Sequence, residues 1–435
     1  MIRPSRAWRT AAVLGVASLT LAACGGNGDE PADDTTATPT GDTTETETSA
    51  ETDAPAASGD GTLTIGTLLP QTGNLSFLGP PEFAGVELAV QEINEAGGVL
   101  GQDVQKFDSD SGDTSTDIAS QSVERLLSQD VDVIVGAASS GVSFTVIDRI
   151  TGAGVLQISP ANTSPDFTTY DDDNLYFRTA PSDVLQGRVM GELLIEDGYL
   201  DVGIMALDDP YGTGLADNIE MSVQDGGGTV VDKIIYNPQA ANFSAEVGQM
   251  AAANPEAIVL VGFDETKKIV PELIAQGIGP QDVPLYLVDG NTADYSNDFD
   301  PGTLTGVKGT LPGAEVTDEF RNRLLEVDST LTVFSYGPES YDATIITALA
   351  AIAAGDDSGP SIASKMVDVT SGGEKCTTFA ECAELLEAGE DIDYDGVSGP
   401  IEFDENGDPT EATIGIYEYA EDNTYSAIDF RFGQI

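Results

Sequence analysis

Short apolar runs alternate with longer amphipathic stretches along the chain from Gly61 onward. Residues 63–69, 103–107, 131–135 and 155–159 read as strands, separated by helices over 80–96, 114–128 and 141–151. After 176–179 the theme restarts. Helices over 182–196, 212–224, 244–253 and 266–276 alternate with strands over 201–207, 229–236, 257–261 and 284–288. Apolar strand cores joined by full helices imply parallel sheets covered on both faces, and two such runs imply two doubly wound α/β lobes. The last third departs from this rhythm, with helices expected over 315–326, 338–354 and 361–369 and strands over 399–403 and 412–420. Residues 413–419 and 425–430 would close the chain as a hairpin turning at 421–423.

In open α/β sheets a ligand sits beyond the C-terminal ends of the strands. The loops 70–79, 136–141, 159–165, 208–212, 262–265 and 288–291 follow those ends and would face one another across a cleft.

The N-terminus has another character. Arg3, Arg6 and Arg9 precede a mostly apolar stretch over 11–23, too short to span a bilayer and of the form of a secretory signal. It ends in Leu21-Ala22-Ala23-Cys24, which resembles the lipobox of bacterial lipoproteins, with Cys24 as the lipidated residue. Residues 1–23 are then a signal peptide. Residues 24–60 are the lipidated Cys and an acidic Thr/Pro/Gly linker, and 61–435 form the folded domain. With no basic residue and little to bury, the linker suits a flexible tether of roughly 30–36 Å.

Composition narrows the chemistry. The chain carries 75 Asp and Glu against 17 Lys and Arg, with no histidine and a formal charge of −58. Nucleic-acid binding through phosphates needs clustered Lys and Arg and is excluded on this balance. Without histidine there is no His-based triad and no imidazole metal ligand. Dinucleotide, P-loop and nucleophile-elbow motifs are absent from the sequence, so neither an enzyme nor a cofactor is expected. Cys376 and Cys382 read as a small disulfide loop in an exported domain, the alternative being a zinc pair. Asp391, Asp393, Asp395, Gly396 and Glu402 satisfy the spacing of a calcium loop. Pro400 stands where the exit helix would begin and Ser398 where an apolar residue is usual, so a structural turn is preferred to calcium. The clusters Asp108, Asp110, Asp113 and Asp171, Asp172, Asp173 read as turn residues and helix starts.

Six ordered motifs carry a family resemblance. They are Ile65-Gly66 through Pro70, Thr72 and Gly73; Phe83, Gly85, Ala89, Glu92, Asn94, Gly97, Gly98 and Gly101; Gly136, Ser139, Ser140 and Gly141; Ser159, Pro160, Ala161, Thr163 and Pro165; Phe177, Arg178, Thr179, Pro181 and Asp183; and Asp208, Asp209, Tyr211, Gly212, Gly214 and Ala216. Over 61–435 the chain resembles the branched-chain amino acid binding proteins of ABC importers, with the type I periplasmic-binding-protein fold. The resemblance implies two lobes joined by three crossovers around a ligand cleft. The first lobe would take about 61–180 and 313–392, the second about 181–312 and 393–435. It further implies a monomer, tethered by lipid to the cell membrane, that closes on a solute and is then recognised by an ABC permease.

The matched positions suit amino-acid capture. Ser140, with Ser139 beside it, lies where a strand gives way to a helix, and hydroxyl, backbone N–H groups and helix dipole make a carboxylate seat. Thr163 can donate a second hydroxyl bond, and the carbonyl of Ala161 can accept from an ammonium. Asp289 is placed to pair with that ammonium, and Tyr211 to close over the solute. Plain capping for Ser140 and Thr163, a solvated turn for Asp289 and simple packing for Tyr211 are the alternatives. Leu78 and Phe263 stand where the leucine-binding pattern can carry tyrosines, which leaves the pocket more apolar. The expected function is therefore delivery of an amino acid with an apolar side chain. An amide, urea or small organic acid as ligand, or a sensing ectodomain, are the other readings.

Overall fold

The computed structural model describes residues 59–435; the expected signal peptide, Cys24 and all but the end of the linker lie outside the described residues. The first run is β1 (Thr64–Leu69), α1 (Gly79–Glu95), β2 (Gln105–Asp110), α2 (Ile118–Leu127), β3 (Val133–Gly136), α3 (Ser140–Thr151), β4 (Leu156–Ser159) and β5 (Tyr176–Arg178). The second is α4 (Asp183–Glu196), β6 (Asp201–Leu207), α5 (Pro210–Asp225), β7 (Thr229–Tyr236), α6 (Ser244–Ala253), β8 (Ala257–Val261), α7 (Thr266–Ala275), β9 (Leu285–Leu287) and β10 (Lys308–Pro312). The third is α8 (Asp318–Val327), α9 (Gly337–Ala354), α10 (Gly359–Met366), β11 (Glu374–Cys376), α11 (Phe379–Ala388), β12 (Ile392–Tyr394), β13 (Glu411–Tyr419) and β14 (Tyr425–Gln434).

Two sheets organise the lobes. The first has order β2-β1-β3-β4-β5, all parallel. The second has order β14-β13-β10-β9-β8-β6-β7, parallel except where β13 runs against β10 and β14. Every residue of β1, β3, β4 and β8 is buried, as expected of central strands with helices on both faces. The edge strands β2 and β7 carry the partly exposed positions. Helix α9 is buried almost throughout and packs on α1. Gly85 makes that approach possible, because a Cβ there would strike the carbonyl of Gly337.

The chain passes between the lobes after β5, after β10 and before β13, so the α/β lobes and three crossovers are as expected. The boundary expected at 392/393 falls too early. Tyr394, Ile401 and Phe403 share a core with Leu63 and Ile65 of the first lobe. The reason is a buried carboxylate: Asp342 of α9 accepts from the Tyr394 hydroxyl at 2.7 Å and from the backbone N–H groups of Val397 and Ser398 at 3.1 and 2.7 Å. The strand expected over 399–403 is reduced to single bridges, Asp395 to Pro400 and Phe403 to Pro409, since proline cannot donate to a ladder. Strands β10, β11 and β12 and helix α11 were not expected from the sequence. The closing hairpin is present as β13 and β14, and Asn423 in its turn takes φ 61.

Cys376, ending β11, is bonded to Cys382 in α11, with Cα atoms 5.4 Å apart. The loop is short, so the constraint on the unfolded chain is worth about 2 kcal/mol. Reduction with dithiothreitol should lower the urea midpoint correspondingly; an unchanged midpoint would contradict this.

Candidate functional site

On the first-lobe side, β3 and β4 end in loops that lead to the cleft. Ser139 caps α3, its hydroxyl accepting from the Val142 N–H at 3.4 Å, the usual way to satisfy a free helix donor. The Ser140 hydroxyl accepts from the Ser164 N–H at 3.3 Å and so ties the two loops together. Within the second loop the Ser159 hydroxyl accepts from the Ala161 and Asn162 N–H groups at 3.2 and 2.9 Å. Asn162 in turn donates to the Ala138 carbonyl at 2.8 Å. Arg178, wholly buried at the end of β5, donates to the Ser164 carbonyl at 2.7 Å. Its Nε and Nη2 hold both carboxylate oxygens of Asp408 at 2.6 and 2.7 Å. This pair joins the loop carrying Thr163 to the segment that leads into the last crossover.

On the second-lobe side, Asp289 begins a 3₁₀ turn after β9. Its Oδ1 accepts from the Tyr211 hydroxyl at 2.6 Å and from Gln186 Nε2 at 3.0 Å, and its Oδ2 accepts from the Tyr336 hydroxyl at 2.7 Å. Tyr211 follows Asp209 and Pro210, which cap and start α5, and its ring stacks on Phe263 with centroids 5.4 Å apart. Asp183, at the start of α4, is fully buried and neither carboxylate oxygen has a hydrogen-bond partner. Burial first, then the charge of Asp289, pushes the Asp183 carboxyl well up. Burial also raises Asp289, but two tyrosyl hydroxyls and an amide stabilise its charged form.

Leu78, Ser139, Ser140, Ala161, Tyr211, Phe263 and Asp289 line a single cavity. Thr163 lies behind it: fully buried, with a hydroxyl that has no partner and a carbonyl that accepts from the Asp183 N–H at 2.7 Å. The cavity measures about 10 Å³, room for about one water molecule. Both carboxylate oxygens of Asp289 there accept from the protein's own donors, the hydroxyls of Tyr211 and Tyr336 and the amide of Gln186. A second-lobe carboxylate also approaches the carboxylate seat expected at α3. Asp209 comes so close to Gly141 in the first turn of that helix that a Cβ there would collide with its Oδ2.

Leu75, Ala138, Gly290 and Tyr336 complete the lining, and none was singled out from the sequence. Tyr336 is the informative omission. It sits at φ 60 immediately before α9, a conformation that costs a non-glycine residue roughly 1–3 kcal/mol and that aims its hydroxyl at Asp289. Pro338 signals the helix start in the sequence, but nothing there pairs the preceding tyrosine with residue 289.

The calcium spacing leads elsewhere. Asp393 lies in β12, and Lys375 on β11 pairs with both Asp393 and Asp395, at 3.1 and 3.0 Å. A lysine thus takes the place where two carboxylates would meet a cation, on strands and not between helices. Among the described residues no cluster of three or more His, Cys, Asp or Glu is arranged to hold a metal ion. No described helix is long and apolar enough to cross a membrane.

Comparison with known proteins follows the same lines. The family described as periplasmic binding protein matches residues 62–424. The Leu/Ile/Val-binding protein homolog 3 of Brucella melitensis is 31% identical over 204 residues, which cover 46% of this chain and 54% of the relative. This chain thus spans about half the length of that relative. The leucine-, isoleucine-, valine-, threonine- and alanine-binding protein of Pseudomonas aeruginosa is 26% identical over 377 residues, covering 84% of this chain and 92% of the relative. The crystal structure of the leucine-binding protein LivK from Thermotoga maritima superposes with a TM-score of 0.70 at 20% identity, covering 85% of this chain and 98% of that one. With two α/β lobes joined by three crossovers and a family match running through both, this chain belongs to the periplasmic binding protein family and has its type I fold.

Proposed function

We propose that this protein is an extracytoplasmic solute-binding lipoprotein that delivers an amino acid with an apolar side chain to an ABC importer. One observation carries the reading: Asp289 and Tyr211 of the second lobe face Ser140 and Ala161 of the first across one cavity walled by Leu78 and Phe263. When the lobes open, a zwitterion can enter. Its ammonium takes Asp289, already ringed by oriented hydroxyls, and its carboxylate takes the hydroxyls and N–H groups at the start of α3. Closure then buries the side chain against Leu75, Leu78 and Phe263, and the closed shape is what a permease recognises. The relatives named for leucine, isoleucine and valine support the same ligand class. Cys24 and the acidic linker would tether the domain to the membrane within reach of that permease.

Calorimetric titration of the full chain with leucine, isoleucine, valine and phenylalanine, against acetamide, urea and benzoate, tests the reading. Saturable binding of an apolar amino acid, with no binding of the amides, is expected. Tight binding of acetamide, urea or benzoate without any amino acid would overturn it.

A further inference from the structure

A second cavity, far roomier than the one that holds Asp289, lies elsewhere in the described residues. It measures about 640 Å³ and lies beside the second crossover, between the start of α9 in the first lobe and the β13–β14 hairpin of the second. Tyr336, Tyr417, Tyr425 and Phe430 supply its aromatic walls. The ring of Tyr417 is edge-on to Tyr425 and to Phe430, with centroids 5.5 and 6.3 Å apart. Glu339 also lines it, although only 3% exposed, and among the described residues no Lys or Arg pairs with it. The one basic side chain in the wall, Arg321, holds its guanidinium 5.2 Å from the centre of the Phe334 ring and pairs with the exposed Asp318 at 3.2 Å, while its buried Nε has no hydrogen-bond partner. Two further acids, Glu315 and Asp294, stand at the rim.

A buried carboxylate without a counter-ion, lining a roomy cavity with four aromatic side chains, lacks one component. We propose that this cavity is a second binding site, for a small organic cation with an alkylated ammonium head. The rings attract the diffuse charge of such a head and cover its apolar groups, as aromatic cages do, while Glu339 supplies the opposite charge. A hydrated sodium ion could use neither the ring faces nor the apolar lining. Tyr336 lines this cavity and also donates to Asp289, so the two sites share a wall. They differ in every other residue named here.

The ionised form of Glu339 is the binding form. Burial, with Asp342 on the same helix, pushes its carboxyl up to about 8. The other groups facing it are Glu82 on α1, whose own carboxyl burial and Glu339 raise, and Tyr336 and Tyr417, both raised. Across the cavity stand Glu315 and Arg321. Affinity for the cation should therefore increase as pH rises through about 8.

The test is calorimetric titration of the full chain with tetramethylammonium chloride at pH 9, with sodium chloride at equal ionic strength as control. Saturable one-site binding of tetramethylammonium, absent for sodium and weakened at least tenfold at pH 6.5, is expected. Glu339→Gln and, separately, Tyr417→Leu should each weaken it at least tenfold, while Arg149→Ala, in an exposed ion pair away from the cavity, should leave it within twofold. Circular dichroism of each variant establishes that it is folded, so a misfolded Glu339→Gln leaves Tyr417→Leu to decide. Equal responses to the two salts would overturn the proposal. So would binding that survives both cavity substitutions.

Discussion

Arg178→Ala should lower the stability of this protein by about 3–5 kcal/mol, because it strands a buried carboxylate. The guanidinium is wholly buried, and Asp408 is 7% exposed at the side chain. Their two parallel bonds, at 2.6 and 2.7 Å, are supplemented by a third donor to the Ser164 carbonyl. Removing the arginine leaves Asp408 without its cation and the 162–164 loop without its clamp. The double variant Arg178→Met with Asp408→Leu should recover most of the loss, since an apolar pair of similar volume carries no charge to desolvate. Chemical denaturation followed by circular dichroism reads both. A single-variant loss no larger than that of the solvent-exposed pair Arg149–Glu124 would show that water reaches Asp408 and would remove this account of the crossover.

Asp289→Asn should abolish most of the proposed amino-acid affinity while leaving the fold intact. Truncating one partner of a buried, hydrogen-bonded charge pair costs about 2–5 kcal/mol, a loss of roughly 30-fold to several thousand-fold in Kd. The substitution keeps the shape and one carbonyl acceptor, so Tyr211 or Tyr336 can still donate to it. What disappears is the negative charge that a ligand ammonium would meet. Asp183, whose carboxyl is held up by burial and by the charge of Asp289, is then relieved of its neighbour's charge and ionises more readily. Calorimetry on wild type and variant, with the amino acid that binds best, measures the loss. Affinity within threefold of wild type would mean that Asp289 serves only to anchor Tyr211 and Tyr336, and that ligand charge is met elsewhere.

The legible part of the site was the part written locally. Ser139, Ser140, Ala161 and Asp289 each follow a strand end, where an α/β sheet delivers its loops to the cleft, and Leu78, Tyr211 and Phe263 were named with them. These seven line the same cavity. Thr163 was placed in the right loop but turns its carbonyl, not its hydroxyl, into a hydrogen bond. Arg178 and Asp183 were visible as motif residues without a role. The partner of Arg178, Asp408, lies 230 residues away, a separation no local pattern spans.

The alternation of apolar runs and amphipathic stretches was sufficient by itself to establish two parallel-stranded lobes, since burial on both faces demands such strands wherever they occur in the chain. Two helix starts were legible to within a residue or two: α3 and α5 were expected from 141 and 212, and the caps Ser139 and Asp209 place them at Ser140 and Pro210. Only the tertiary structure decided that residues 393–403 stay with the first lobe, that Lys375 takes the carboxylates spaced as if for calcium, and that Tyr336 reaches Asp289. Each of these depends on a buried charge or hydroxyl finding a partner on a distant element. Desolvation makes such partners obligatory, but which residue supplies one is set by the packed geometry and by no spacing in the chain.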